Sequence, residues 1–209
     1  MVQWIATERI SGLVPAPGGL AFVQDLLNSS SDGLVGPRHT HDDLLSDITS
    51  ARNWLTSAGR ALSASSGLDF SLPSLPEEDL PALRELRSEL RLLVSGQADA
   101  GADQSAPPSR LRSAAVTVAT TSGPSFVALP NGYGWHWVAS AVLAESFNAQ
   151  KEGTWRRLKA CRNPACVAVF YDRTRNNIGV WHSVRSCGNP ANLRASRARK
   201  RVSAEDRAI

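Results

Sequence analysis

The chain has three cysteines among 209 residues, and none of them precedes residue 161. No disulfide framework of the kind that staples small secreted domains is therefore available to the first 160 residues. There is no run of eighteen or more apolar residues, which excludes a membrane-spanning helix. The opening residues MVQWIATERI lack a basic stretch followed by an apolar one, so no secretory signal is expected. The expectation is a cytoplasmic protein whose thiols stay reduced, where cysteines serve as metal ligands or catalysts more often than as disulfide partners. No nucleophile elbow, phosphate-cradling glycine loop or committed pair of carboxylates is present, so an enzyme is not expected. Internal repeats are also absent.

What the chain does have is enough apolar residue, 42%, for an ordinary core. Its charge is divided. Residues 1–150 hold nine Arg and no Lys against fifteen acids, a net −6. Residues 151–209 hold fourteen Lys plus Arg against four acids, a net +10. An acidic body with a basic end is the asymmetry expected when one end meets a polyanion, a solvated and solubilising tail being the alternative.

Periodicity predicts helices over residues 19–28, 42–62, 77–95 and 135–148. The second would bury Leu44, Leu45, Ile48, Ala51, Trp54 and Leu55. The third, opened by Glu77, Glu78, Asp79 and Pro81, would bury Leu83, Leu86, Leu90 and Leu93. In the fourth the buried set is Trp137, Val138, Val142, Leu143 and Phe147. The β-branched run Val116-Thr117-Val118 and a turn at Gly123-Pro124 predict a hairpin within residues 111–129. Residues 95–110 are low in complexity and read as a flexible loop or linker. The aromatic cluster Tyr133, Trp135, His136 and Trp137 reads as core packing in preference to a ligand pocket. His39 and His41, beside Asp42 and Asp43, could cradle a metal but sit in a polar loop that favours solvated side chains. The expected fold is a mainly α N-terminal domain with a small β-hairpin (α+β), residues 1–150. A small C-terminal zinc-binding hairpin-and-helix module, residues 151–209, follows it.

The chemistry concentrates in residues 155–201. Four residues separate Cys161 from Cys166, four separate His182 from Cys187, and fifteen lie between the pairs. Two ligand pairs on short loops joined by a hairpin-sized spacer can close a tetrahedral zinc site. Four protein ligands leave no open position, so one structural Zn2+ is expected. A Cys161–Cys166 disulfide or plain buried thiols are the alternatives. All three cysteines fall within 27 residues beside one of only four histidines, which favours zinc. Asn163-Pro164 would turn the chain between the first pair. Val167–Tyr171 would form a strand, and Val180-Trp181 would lead back to His182. Gly188 would be a joint, with Asn189 as N-cap and Pro190 as first residue of a last helix from about 191 to 202. Arg194, Arg197 and Arg201 would share one face of that helix, with Arg199 and Lys200 alongside.

The segment from Cys161 to Arg201 resembles the CGNR zinc finger. It keeps Cys187-Gly188-Asn189, the Cys161/Cys166 pair, Phe170-Tyr171-Asp172, Arg175-Asn176 and Trp181 before the third ligand. Residues 20–62, with LAFVQDLLNS and RNWL, are similar to the ABATE domain that precedes such fingers. The resemblance implies a stress-responsive bacterial transcriptional regulator with a sensor domain and a DNA-contacting finger. Two positions depart from the family pattern. His182 stands where a cysteine is usual, which keeps the site as Cys3His. Pro190 replaces the family's arginine, which shifts any phosphate contact to Arg194 and beyond.

Three functions follow as expectations. In the first, Arg173, Arg175, Arg194, Arg197, Arg199, Lys200 and Arg201 contact double-stranded DNA, and the N-terminal domain answers to a small-molecule effector. The second is an RNA- or ribosome-associated protein that stacks bases on Phe170, Tyr171 or Trp181. In the third, the metal holds a protein-interaction module whose basic tail only keeps it soluble.

Overall fold

The computed structural model describes residues 3–30, 42–96, 113–121, 123–164 and 166–193. In chain order the helices are α1 (Ile5–Glu8), α2 (Leu20–Leu27), α3 (Ile48–Ser66), α4 (Leu80–Gly96) and α5 (Trp135–Lys151). Strands β1 (Val116–Thr120) and β2 (Phe126–Pro130) pair antiparallel between α4 and α5. Strands β3 (Leu158–Ala160) and β4 (Val169–Tyr171) form a second antiparallel hairpin after α5. The fold is thus mainly helical with two small hairpins. No helix among the described residues is long and apolar enough to cross a membrane.

Helix α2 is the centre of the molecule. All eight of its residues are buried, where its spacing suggested a single apolar face. Burial on every side costs free energy unless the polar members find partners inside. Gln24 takes the Ala16 N–H and donates to the Val169 carbonyl. Asp25 accepts from the Thr7 N–H at 2.7 Å and from Trp54 Nε1 at 3.0 Å. Around this polar spine Phe22 packs on Trp54 and Trp137, with ring centroids 5.8 and 6.2 Å apart. Such ring pairs add about 0.5–1.5 kcal/mol each beyond the area they bury.

Helix α3 starts at Ile48, six residues after the predicted start. Asp47 is extended and its carboxylate accepts the Ser50 N–H, which makes it the N-cap. Asp43 is used otherwise: both its oxygens meet Arg87 of α4 at 2.7 Å, and one accepts the Leu45 N–H. Of the predicted buried set, Leu45, Ala51, Trp54 and Leu55 are buried, and Leu44 and Ile48 are half-buried against the same core. In α4 the buried stripe is Leu83, Leu86, Leu90 and Val94, and Leu93 is 45% exposed. In α5 Trp137, Val138 and Val142 are buried as predicted, but Phe147 is 59% exposed, with Lys151 Nζ 5.4 Å above its ring. Phe147 lies five residues after Val142, about 140° around the helix and so away from the core.

The aromatic cluster divides. Trp137 is core, edge-on to Phe22 and Phe70. Trp135 stacks on His136, and Tyr133 is exposed. Gly134 opens α5 at φ +57, and a Cβ there would meet the Asp79 carboxylate that accepts the Trp135 N–H.

The β3–β4 hairpin is fastened to the helices. Leu158 and Val169 are fully buried in the same apolar core as α2 to α5. Arg91 of α4 donates to the carbonyls of Leu27 and Val167.

Candidate metal centre

The strand Val169–Tyr171 pairs with Leu158–Ala160, the residues just before Cys161, in the register Leu158↔Tyr171, Lys159↔Phe170, Ala160↔Val169. The sequence predicts this strand over Val167–Tyr171 and names no partner for it. Cys161 and Cys166 therefore sit at the closed end of a hairpin. The ladder continues through the Cys161 N–H to the Ala168 carbonyl at 2.9 Å. Asn163 then accepts the Cys166 N–H at 2.8 Å, a tight turn that brings the two sulfurs to one side. The Val180 carbonyl still reaches this hairpin, accepting from the Arg162 N–H at 3.0 Å.

The loop 172–179 between the ligand pairs is organised by one carboxylate. Asp172 is buried and accepts from Lys159 Nζ at 2.7 Å, from the Thr174 N–H at 2.9 Å and from the Gly179 N–H at 2.6 Å. Burial alone would raise its pKa, but these donors outweigh it and hold the carboxyl at about 2. Lys159 also reaches the carbonyls of Asn177 and Gly179. The loop end that delivers His182 is thereby fixed to strand β3.

His182 and Cys187 flank a π-helical turn, Val184–Gly188. Its N-cap is Ser183, extended, with its side chain accepting the Ser186 N–H. Asn189, the predicted cap, is already helical at φ −60 and ψ −47, and the helix runs on through 189–193. Gly188 is required for space. A Cβ would lie 2.9 Å from the Trp181 ring, so the tryptophan before His182 packs directly on the glycine after Cys187.

These elements bring Cys161, Cys166, His182 and Cys187 together, with all ligand atoms within 4.8 Å of one another. His182 Nδ1 lies 3.4 Å from Cys166 Sγ and 3.5 Å from Cys187 Sγ. Zinc bound at about 2.3 Å to sulfur and about 2.0–2.1 Å to nitrogen, at a tetrahedral angle, sets S···N near 3.5 Å. The cluster fits one structural zinc. Such an ion cross-links the two ligand pairs and keeps no position open for water. Nδ1 is the nitrogen turned to the sulfurs, and Nε2 faces Ser186 Oγ at 3.5 Å, the outer partner that orients a ligand ring.

A hydrogen bond with the Cys166 thiol pulls the Cys161 thiol below its ordinary value. Burial pushes the Cys187 thiol up. All three sulfurs are buried beside Ile10, Ala168, Leu13 and Trp181. Ile10 and Leu13 come from the far end of the sequence and were invisible to motif spacing, as was the pairing of Lys159 with Asp172.

The other predicted residues fall as follows. His39, His41, Arg194, Arg197, Arg199, Lys200 and Arg201, residues 97–110 of the predicted 95–110 loop and the end of the last predicted helix lie outside the described residues, and Ser95 and Gly96 belong to α4. Arg173 is exposed, donates to the Pro15 carbonyl at 2.7 Å and lies 5.6 Å over the Tyr171 ring. Arg175 is exposed in the 172–179 loop. Arg185, exposed on the turn between His182 and Cys187, was not singled out from the sequence. Its signal was present: a cation placed between two ligands must sit at the surface of the site.

Comparison with known families agrees with this geometry. The CGNR zinc finger family matches residues 157–200. The ABATE family, described as "Putative stress-induced transcription regulator", matches residues 20–160. No curated protein matches the chain. With most of its length matched and the four-ligand cluster assembled, the chain belongs to the ABATE family and ends in a CGNR zinc finger.

Proposed function

We propose that this protein is a cytoplasmic, non-enzymatic transcription regulator that binds double-stranded DNA through its zinc-held C-terminal module. The observation that carries this reading is the division of charge, −6 over residues 1–150 and +10 over residues 151–209, in a chain of a regulator family. The helical body and the finger are its two working domains. Arg175 and Arg185 offer exposed guanidinium groups beside the metal centre, and Arg173 keeps further donors free of its Pro15 contact. Arg194, Arg197, Arg199, Lys200 and Arg201 add five cations in the sequence that follows the 189–193 helix. Phosphate contacts from these groups supply most of the affinity.

Of the three rings the single-strand stacking alternative would use, Phe170 is buried and Trp181 is packed on Gly188, which leaves Tyr171, half-buried beneath Arg173. For an effector of the body, one candidate space is a cleft of about 490 Å3 lined by Phe70, Leu129, Tyr133 and Trp137. That volume lies within the range of small-molecule pockets.

The test is a duplex-binding titration across salt concentrations. Each phosphate neutralised contributes about −0.9 to the slope of log affinity against log salt. Replacing Arg194, Arg197 and Arg201 together should flatten that slope by roughly two to three units and leave zinc bound. Unchanged affinity and slope in the triple variant would remove these three arginines from the contact set.

A further inference from the structure

Trp54 and Trp137 both pack on Phe22, and they use their indole N–H groups differently. Trp54 Nε1 donates to Asp25 at 3.0 Å. Trp137 is 4% exposed, yet its N–H meets no acceptor among the described residues and is not sealed from solvent either. A tryptophan this deeply buried ordinarily spends its N–H on a partner. The uncovered edge of the Trp137 ring lines the cleft of about 490 Å3 between the segment 69–73 and the β2–α5 connection, which gives the unused donor its opening.

The rest of the cleft narrows the chemistry of what could take that donor. Its floor is apolar: Trp137 and Phe70 meet edge to face at 6.3 Å, with Leu129 half-buried beside them. Tyr133 forms a wall and is 59% exposed, a large ring with one side left to cover. Three rings about one open space favour a flat aromatic occupant, held by offset or edge-to-face contact. Asp69 is the one charged side chain among the described residues that line the cleft. From residue 113 to residue 144 the chain has no Asp, Glu, Lys or Arg at all. No cation is therefore at hand to hold an anion, and the Asp69 carboxylate opposes one. Asp69 is exposed, so a cationic ligand would gain little from pairing with it.

We propose that this cleft binds an uncharged, flat aromatic molecule carrying a hydrogen-bond acceptor. The acceptor takes the Trp137 N–H, and the rings lie against Phe70 and Tyr133. Aromatic contact supplies most of the affinity, and the single hydrogen bond sets the orientation. This gives a ligand class to the effector cleft offered above. The regulatory consequence, a change in duplex affinity, rests on that reading, whereas binding to the cleft does not.

Coumarin, an uncharged bicyclic lactone, is the probe, titrated into the zinc-loaded full chain without nucleic acid. In NMR spectra it should shift the Trp137 indole N–H signal saturably and leave that of Trp54, already bound to Asp25, in place. Tyr133→Ala removes an exposed ring and should weaken binding roughly two- to tenfold, with helical circular dichroism unchanged. Trp137→Phe keeps a ring and deletes the donor. It should weaken coumarin roughly two- to tenfold more than it weakens naphthalene, which has no acceptor. The anion coumarin-3-carboxylate should bind more weakly than coumarin. The proposal is overturned by a Trp137 signal that does not saturate, by a Tyr133→Ala variant that binds as the wild type does, or by a carboxylate that binds as tightly as coumarin. Bound coumarin that leaves duplex affinity unchanged would overturn the effector role alone and leave the site standing.

Discussion

The carboxamide of Asn28 and the peptide group of Val169 form a closed pair of hydrogen bonds, Nδ2 to the Val169 carbonyl at 2.9 Å and the Val169 N–H to Oδ1 at 2.8 Å. Asn28 ends α2 at the centre of the helical body, and Val169 opens the strand that follows Cys166. A side-chain amide thus does for β4 what a neighbouring strand would do. Asn28→Ala leaves the Val169 N–H buried without this acceptor, a loss of about 1–3 kcal/mol. Equilibrium denaturation should show the loss, with faster hydrogen exchange at the Val169 amide. A variant as stable as the wild type would mean that the pair contributes nothing.

The same attachment sets what zinc removal does. The purified protein should hold about one zinc per chain, and Cys166→Ser or chelation should release it. Leu158 and Val169 flank the first ligand pair yet belong to the core of the helices. Loss of the metal should therefore lower the melting temperature of the whole described fold in one transition. Two separate transitions, with the helical one unmoved, would show that finger and body fold independently.

His182 supplies the imidazole where the family pattern places a thiolate. Its Nδ1 is already at ligand spacing from two sulfurs. In competition with a chromophoric chelator, His182→Cys should keep zinc and His182→Ala should lose it at much lower chelator concentration. Equal affinity of His182→Ala and the wild type would place the fourth ligand elsewhere.

Asp25 gives the body a pH dependence. Burial raises its pKa to about 6 despite the hydrogen bonds from Thr7 and Trp54. An acid that holds its proton more tightly when folded favours the folded state most below its unfolded pKa, near 3.8. That contribution disappears as pH rises through about 6. A shift of about two units corresponds to roughly 3 kcal/mol. Asp25→Asn removes the titration. The wild-type unfolding free energy minus that of the variant should therefore fall by that order between about pH 4 and pH 7. Zinc loss at low pH affects both proteins and cancels. A flat difference would show that Asp25 stays ionised throughout.

Features that depend on neighbours a few residues apart were legible in the sequence. The periods of α3, α4 and α5, the β1–β2 turn and the Cys161, Cys166, His182 and Cys187 spacing all have local signals, and the fold kept each of them. Boundaries and faces moved where a local competitor was overlooked. Asp47 took the cap of α3, Ser183 took the cap expected of Asn189, and Phe147 fell off the buried stripe of α5. Only the tertiary structure decided the rest. Strand β3 is three residues long and carries no periodic signal, so it could not be recognised before β4 was seen beside it. Asn28 finds Val169 across 141 residues, and Ile10 and Leu13 wall a metal centre whose ligands begin 148 residues after Leu13. Such contacts leave no mark in the spacing of the residues that make them, because what brings them together is the burial of a shared core.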